Sequence, residues 1–133
     1  EVIADPLLLR VMTASMRETV RVARRLGIRF GTVQGVTGRV LGLLGSAPLA
    51  IGAWFPRLLA SRMGPVPNPG STLQSIRRGH LTEIDFLNGA VVAAAAAGGL
   101  TAPINEQIVH LVHEVERSGA FVAPAEVVAR VAV

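Results

Sequence analysis

Glu106, His110 and His113 recur at i, i+4 and i+7 with Glu114 beside them, a spacing that gathers imidazole and carboxylate groups on one face of a helix. Such a face could hold a divalent metal. Ile104, Ile108, Leu111, Val112 and Val115 fill the opposite arc, however, so packing turns the histidines toward solvent. The order His-x-x-His-Glu also differs from that of zinc-protease helices, and one straight helix closes a tetrahedral ligand set poorly. The expectation is a solvated face and no metal.

Two other positions carry groups suited to chemistry. Glu83 sits in the run Thr82-Glu83-Ile84-Asp85, which reads as the start of a helix, preceded by Arg77, Arg78 and His80. A carboxylate there complements the helix dipole and satisfies free amides, and this needs no catalytic role. Ser71 opens Ser71-Thr72-Leu73-Gln74, whose spacing is that of a capping box. Cysteine is absent, which removes disulfides, thiolate metal sites and thiol catalysis.

The elements that must position these groups read as helices. Half of the 133 residues are apolar and 17% are charged, far from the composition of a disordered chain. The length suits one domain, residues 1 to 133. Few period-two runs occur, so a β sandwich or barrel is not expected. The pattern predicts an all-α bundle of about six to seven helices. The first spans residues 6 to 26, from the Asp5-Pro6 start to Gly27, with Leu9, Met12, Met16, Val20 and Ala23 on one face. Arg10, Arg17, Arg21, Arg24 and Arg25 form a basic stripe on another, which reads as solvated, with Glu18 and Arg21 as a spaced pair.

Residues 32 to 45 and 48 to 62 read as an apolar helical hairpin bent at Ser46-Ala47-Pro48, and residues 64 to 70, with three prolines, as a stiff connector. Short helices follow from Ser71 to Arg78 and from Thr82 to the Gly98-Gly99 stop. The second of these is apolar nearly all round beyond Asp85 except for Asn88, which predicts a helix buried in the middle of the bundle. Pro103 and Pro124 open the last two. Between Arg39 and Arg57 the chain is uncharged, but Gly42, Gly45, Pro48, Gly52 and Pro56 interrupt it, so a membrane span is not expected. All 13 basic residues are Arg, and the net charge of +4 makes no dense basic surface of the kind nucleic acid requires. A cytoplasmic protein is the default.

Ser71-x-x-Gln74, then Arg78-Gly79-His80-Leu81-Thr82-Glu83-Ile84-Asp85-Phe86-Leu87-Asn88-Gly89, then Pro103-x-Asn105, resembles the C-terminal domain of the ketopantoate reductase family, with residues 34 to 66 matching less well. The resemblance implies NADPH-dependent reduction of a 2-oxo acid such as 2-dehydropantoate to the 2-hydroxy acid, in pantothenate biosynthesis. It further implies hydride delivery across a cleft between a Rossmann domain and this helical domain. The resemblance places Glu83 at the active-site Glu and Ser71 at a substrate-binding Ser, and as capping positions of consecutive helices joined by a short turn at Gly79 the two are expected to face a common cleft. Asn88 and Gly89 look structural, Asn88 satisfying backbone groups and Gly89 allowing close helix packing.

Two departures stand out. The family's catalytic Lys lies on the helix that opens the domain, and this chain has no Lys; nor has it a Gly-x-Gly-x-x-Gly turn. The expectation is therefore a piece that starts after both, binds no NADP(H) by itself, and is probed as part of a larger reductase. The alternative is a non-catalytic helical interaction module. On either reading an apolar groove along residues 82 to 97 needs a cover. If the family's opening helix is missing, a homodimer is expected to supply that cover, with the Leu9, Met12 and Met16 face or the hairpin of residues 40 to 60 as donor, the alternative cover being an upstream segment of the parent.

Overall fold

A computed structural model describes residues 4–32, 35–62 and 71–133. Among them every regular element is a helix, in the order α1 (Pro6–Arg25), α2 (Gly38–Ser46), α3 (Leu49–Gly52), α4 (Trp54–Arg62), α5 (Ser71–Arg77), α6 (Ile84–Ala97), α7 (Pro103–Ser118) and α8 (Pro124–Val131). The all-α expectation holds. The second arm of the hairpin comes in two pieces, the single turn α3 and then α4.

α1 begins where the sequence places it. The Asp5 carboxylate accepts from the amides of Leu7 and Leu8 at 2.8 and 3.1 Å, and Pro6 occupies the first turn, where it has no amide to leave unpaired. The helix ends at Leu26, and Gly27 follows at φ 72°. α2 starts at Gly38, not at residue 32. Gly35 takes φ 72°, and at Gly38 a methyl group would meet the carbonyl of Phe30. Gly42 and Gly45 do not break α2; Gly45 lets it approach α1, where a Cβ would come within 2.8 Å of Val20 Cγ1. Pro56 sits buried in the first turn of α4, a position helices tolerate. The proline-rich connector of residues 64 to 70 lies outside the described residues.

The core corrects one expectation. α1, not α6, is the central helix: it packs against α2, α3, α4, α6, α7 and α8. Each of three buried clusters takes a residue from it. Val20 joins Val36, Leu41, Leu44 and Phe55; Val11 joins Leu111 and Val131; Val22 joins Ala95 and Ala102. In α6 only Ile84 and Ala95 are buried, while Phe86, Leu87, Ala90, Ala93, Ala94, Ala96 and Ala97 are exposed. α6 packs against α7 and, less closely, α1, so only the side facing them is covered.

The basic stripe on α1 is largely solvated, as expected for Arg10, Arg21 and Arg25, while Arg24 reaches the carbonyl of Gly42 and the hydroxyl of Ser46 on α2. Glu18 departs from its expected pairing with Arg21. It is buried, 5% exposed, on the side of α1 that faces α7. No helix of the described residues is long and apolar enough to cross a membrane.

Candidate functional site at the start of helix α6

The turn before α6 brings the signature residues 82 to 88 between α1 and α7. Glu83 is the N-cap of α6, one residue earlier than a first-turn position, and its carbonyl accepts from the amides of Phe86 and Leu87 at 3.0 and 3.1 Å. The Thr82 hydroxyl accepts the Ile84 amide at 3.2 Å, and the buried Ile84 side chain pins the turn. Glu83 itself is exposed, and its carboxylate has no hydrogen-bond or ion-pair partner among the described residues. It is therefore not spent on capping, the structural role that residue types alone would assign to it.

Two sets of contacts hold this turn. On the α7 side, Glu116 accepts the Thr82 amide at 2.7 Å, and its other oxygen lies 2.7 Å from Nδ1 of His113, whose Nε2 is 3.0 Å from Asp85 Oδ1. His113 thus does not point freely to solvent; it ties α7 to α6. The Thr82 amide first, and then His113, draw the Glu116 carboxyl below its ordinary range. His110 is exposed, and among the described residues no group of acids and histidines is placed to hold a metal ion.

On the inner side lies a polar network that residue patterning missed. Asn88 donates to Asn105 Oδ1 at 2.9 Å and to the Ser15 hydroxyl at 3.2 Å, and that hydroxyl donates to Asn105 Oδ1 at 2.9 Å. The Asn105 side-chain amide donates to Glu18 at 2.7 Å. Glu18 also takes the backbone amides of Asn105 and Ile104, at 2.8 and 3.2 Å. A carboxylate only accepts, which sets the orientation of the Asn105 amide. Glu18 in effect caps α7 from another helix. A signal existed: α7 opens on Ala102-Pro103 with no capping side chain of its own, so its free amides had to find a distant acceptor.

Asn88 is thus structural, as expected, but it bonds side chains, not backbone groups. Gly89 is not a close-packing residue: the atoms nearest to a Cβ there are Asp85 and Ile84 of its own helix, at 3.6 Å. Ser71 opens α5 and is already helical, so it is not the N-cap; its side chain, and hence the expected meeting with Glu83, lies outside the described residues. Gly79, at φ 69°, ends α5 as predicted.

A cleft of about 880 Å³ lies between the end of α1 and α2 and is lined by Arg24, Arg29, Phe30 and Arg39 among others, away from Glu83. A dinucleotide pyrophosphate needs a glycine-rich turn between a strand and a helix. The sequence has no such motif and the described residues no strand, so they supply no pyrophosphate cradle of that kind.

Residues 1–116 match the family described as ketopantoate reductase PanE/ApbA, C terminal. The match covers most of the 133 residues, and the chain belongs to that family. No solved structure matches it.

Proposed function

We propose that this chain is the helical substrate domain of a reductase that converts a 2-oxo acid to the 2-hydroxy acid, working with a separate nucleotide-binding domain that holds NADPH. The observation that carries the reading is Glu83: an exposed carboxylate with no partner among the described residues, on a turn held from both sides, inside the family's signature run. A fixed carboxylate of this kind can accept a hydrogen bond from a substrate hydroxyl or orient a cationic acid opposite it. Ser71 is its proposed companion, its hydroxyl donating to the substrate carboxylate. Both act by binding and orientation, and no residue of this chain delivers hydride.

The chain has no lysine, so a cationic proton donor of that type comes from outside it. 2-Dehydropantoate is the proposed substrate class representative, and the cytoplasm the proposed compartment. The test is turnover by the full-length protein with NADPH and a series of 2-oxo acids, followed by loss of nicotinamide absorbance. Saturable oxidation of NADPH with one acid supports the reading. No turnover with any of them favours the second reading, a helical interaction module, for which the uncovered apolar side of α6 speaks.

A further inference from the structure

The reductase reading assigns nothing to His113, whose ring is engaged at both nitrogens by acids from two helices, Glu116 of α7 at 2.7 Å and Asp85 of α6 at 3.0 Å. Ionised carboxylates only accept, so both contacts are hydrogen bonds together only when both ring nitrogens carry protons. A neutral ring has one N–H and one lone pair, and the lone pair must then face a carboxylate oxygen. Glu116 is the firmer partner: its side chain is 7% exposed and also holds the Thr82 amide, whereas that of Asp85 is 60% exposed. Loss of one proton therefore leaves Nδ1 bound to Glu116 and opens the Asp85 side. Thr82 and Asp85 bracket Glu83 at one and two residues, so what these anchors do is transmitted to it through two peptide units.

We propose that His113, as an imidazolium, is a positioning residue that clamps residues 82 to 85 between α6 and α7, fixes the Glu83 carboxylate, and releases the turn when it loses its proton. The functional half of this rests on the reading of Glu83 as an active-site carboxylate; the clamp itself does not. The hydrogen bond to Glu116 and then that to Asp85 raise the His113 pKa above its ordinary value, against a smaller opposing effect of burial.

The other charged groups near the ring are accounted for. On α7, His110 and Arg117 lie about a turn to either side. Glu114 turns to Arg130 of α8, at 2.6 and 3.2 Å. On the α6 side, Asp85 makes the contact and Glu83 is the next acid in the chain. Glu18 of α1 meets α7 at Asn105, about two turns away.

The test is an NMR titration of the full-length protein from about pH 5 to about pH 9, the window in which histidine titrates. It follows the His113 ring and the amides of Thr82, Ile84 and Asn105. The expected result is a His113 midpoint above the ordinary range, shared by the Thr82 and Ile84 amides and absent from Asn105. His113→Gln should abolish that step in Thr82 and Ile84. If it does not fold, Asp85→Asn at an exposed position gives the same reading through a lowered His113 midpoint. Thr82 and Ile84 amides that ignore the His113 midpoint, a step that survives His113→Gln, or a midpoint unmoved by Asp85→Asn overturns the clamp.

Activity is read separately. kcat/KM of the wild type should fall several-fold as pH rises through that midpoint, and the fall should vanish in His113→Gln. A fall that persists in the variant overturns the positioning role. Absence of turnover at every pH overturns the reductase reading alone, because the resonances still decide the clamp.

Discussion

Glu83 and Glu18 show how differently two glutamates can be used in one small bundle. Glu83 has no partner among the described residues, so its removal should spare the fold and strike function: in the full-length protein Glu83→Ala should lower kcat by about 10²-fold or more, the usual loss for a positioned polar group. Near-normal turnover would remove it from the active site. Glu18 is the opposite case, holding three donors of Ile104 and Asn105 in a buried setting. Glu18→Ala strands those donors and should cost about 3 kcal/mol in urea unfolding. Glu18→Gln should also destabilise, because one end of an amide presents N–H groups to donors that need an acceptor. A Gln variant as stable as the wild type would show that water, not Glu18, satisfies the start of α7.

At the scale of elements, α6 and α7 are joined by a contact whose strength depends on pH, and the sign follows from the two shifts. The folded-state pKa of His113 is raised, so its stabilising contribution is complete below the ordinary histidine value and is lost as pH rises through the raised one. That of Glu116 is depressed, so its contribution is present above the ordinary carboxylate value and is lost as pH falls through the lowered one. Melting temperature against pH should therefore decline as pH rises from the ordinary histidine value through the raised one, and His113→Gln should flatten that decline while leaving in place the part of the acid limb that rests on the Thr82 amide. A different substitution tests the helix itself. Gly89 is helical with room for a methyl group, so Gly89→Ala should stabilise by about 0.5–1 kcal/mol. A destabilised variant would mean that a neighbour needs the space.

For the whole molecule the open question of cover is a matter of apolar surface. Phe86 is 84% and Leu81 82% exposed, and the exposed alanines of α6 continue the strip toward Ala97. Of the two donors the sequence suggested for a dimer, the first is already used within the fold: Leu9 is buried and Met16 packs against the Val20 cluster. The hairpin still presents Leu43, Ile51 and Trp54. The expected outcome in light scattering of the 133-residue chain is therefore a dimer, weakened by Phe86→Glu through the burial of a charge. A monomer at high concentration would show that this strip is tolerated uncovered.

Much of this was legible in the residues. Asp5-Pro6, Gly27, Gly79, Gly98-Gly99 and Pro103 are local signals, acting within a turn of where they stand, and they place the start or end of α1, α5, α6 and α7 to within a residue or two. The Thr82 to Gly89 run led to the family for the same reason, being contiguous. What a helix packs against is not local. α6 is apolar nearly all round beyond Asp85 except for Asn88 and still lies largely exposed, because the number and size of its neighbours, not its own hydropathy, decide burial. Glu18 looked like a surface partner of Arg21, and His113 like a solvated side chain. Each is instead engaged by an acceptor or donor dozens of residues away, and only the tertiary structure brings Glu18 to the uncapped start of α7 and His113 to Asp85, where a buried amide and a shared proton each require a partner that no spacing along the chain reveals.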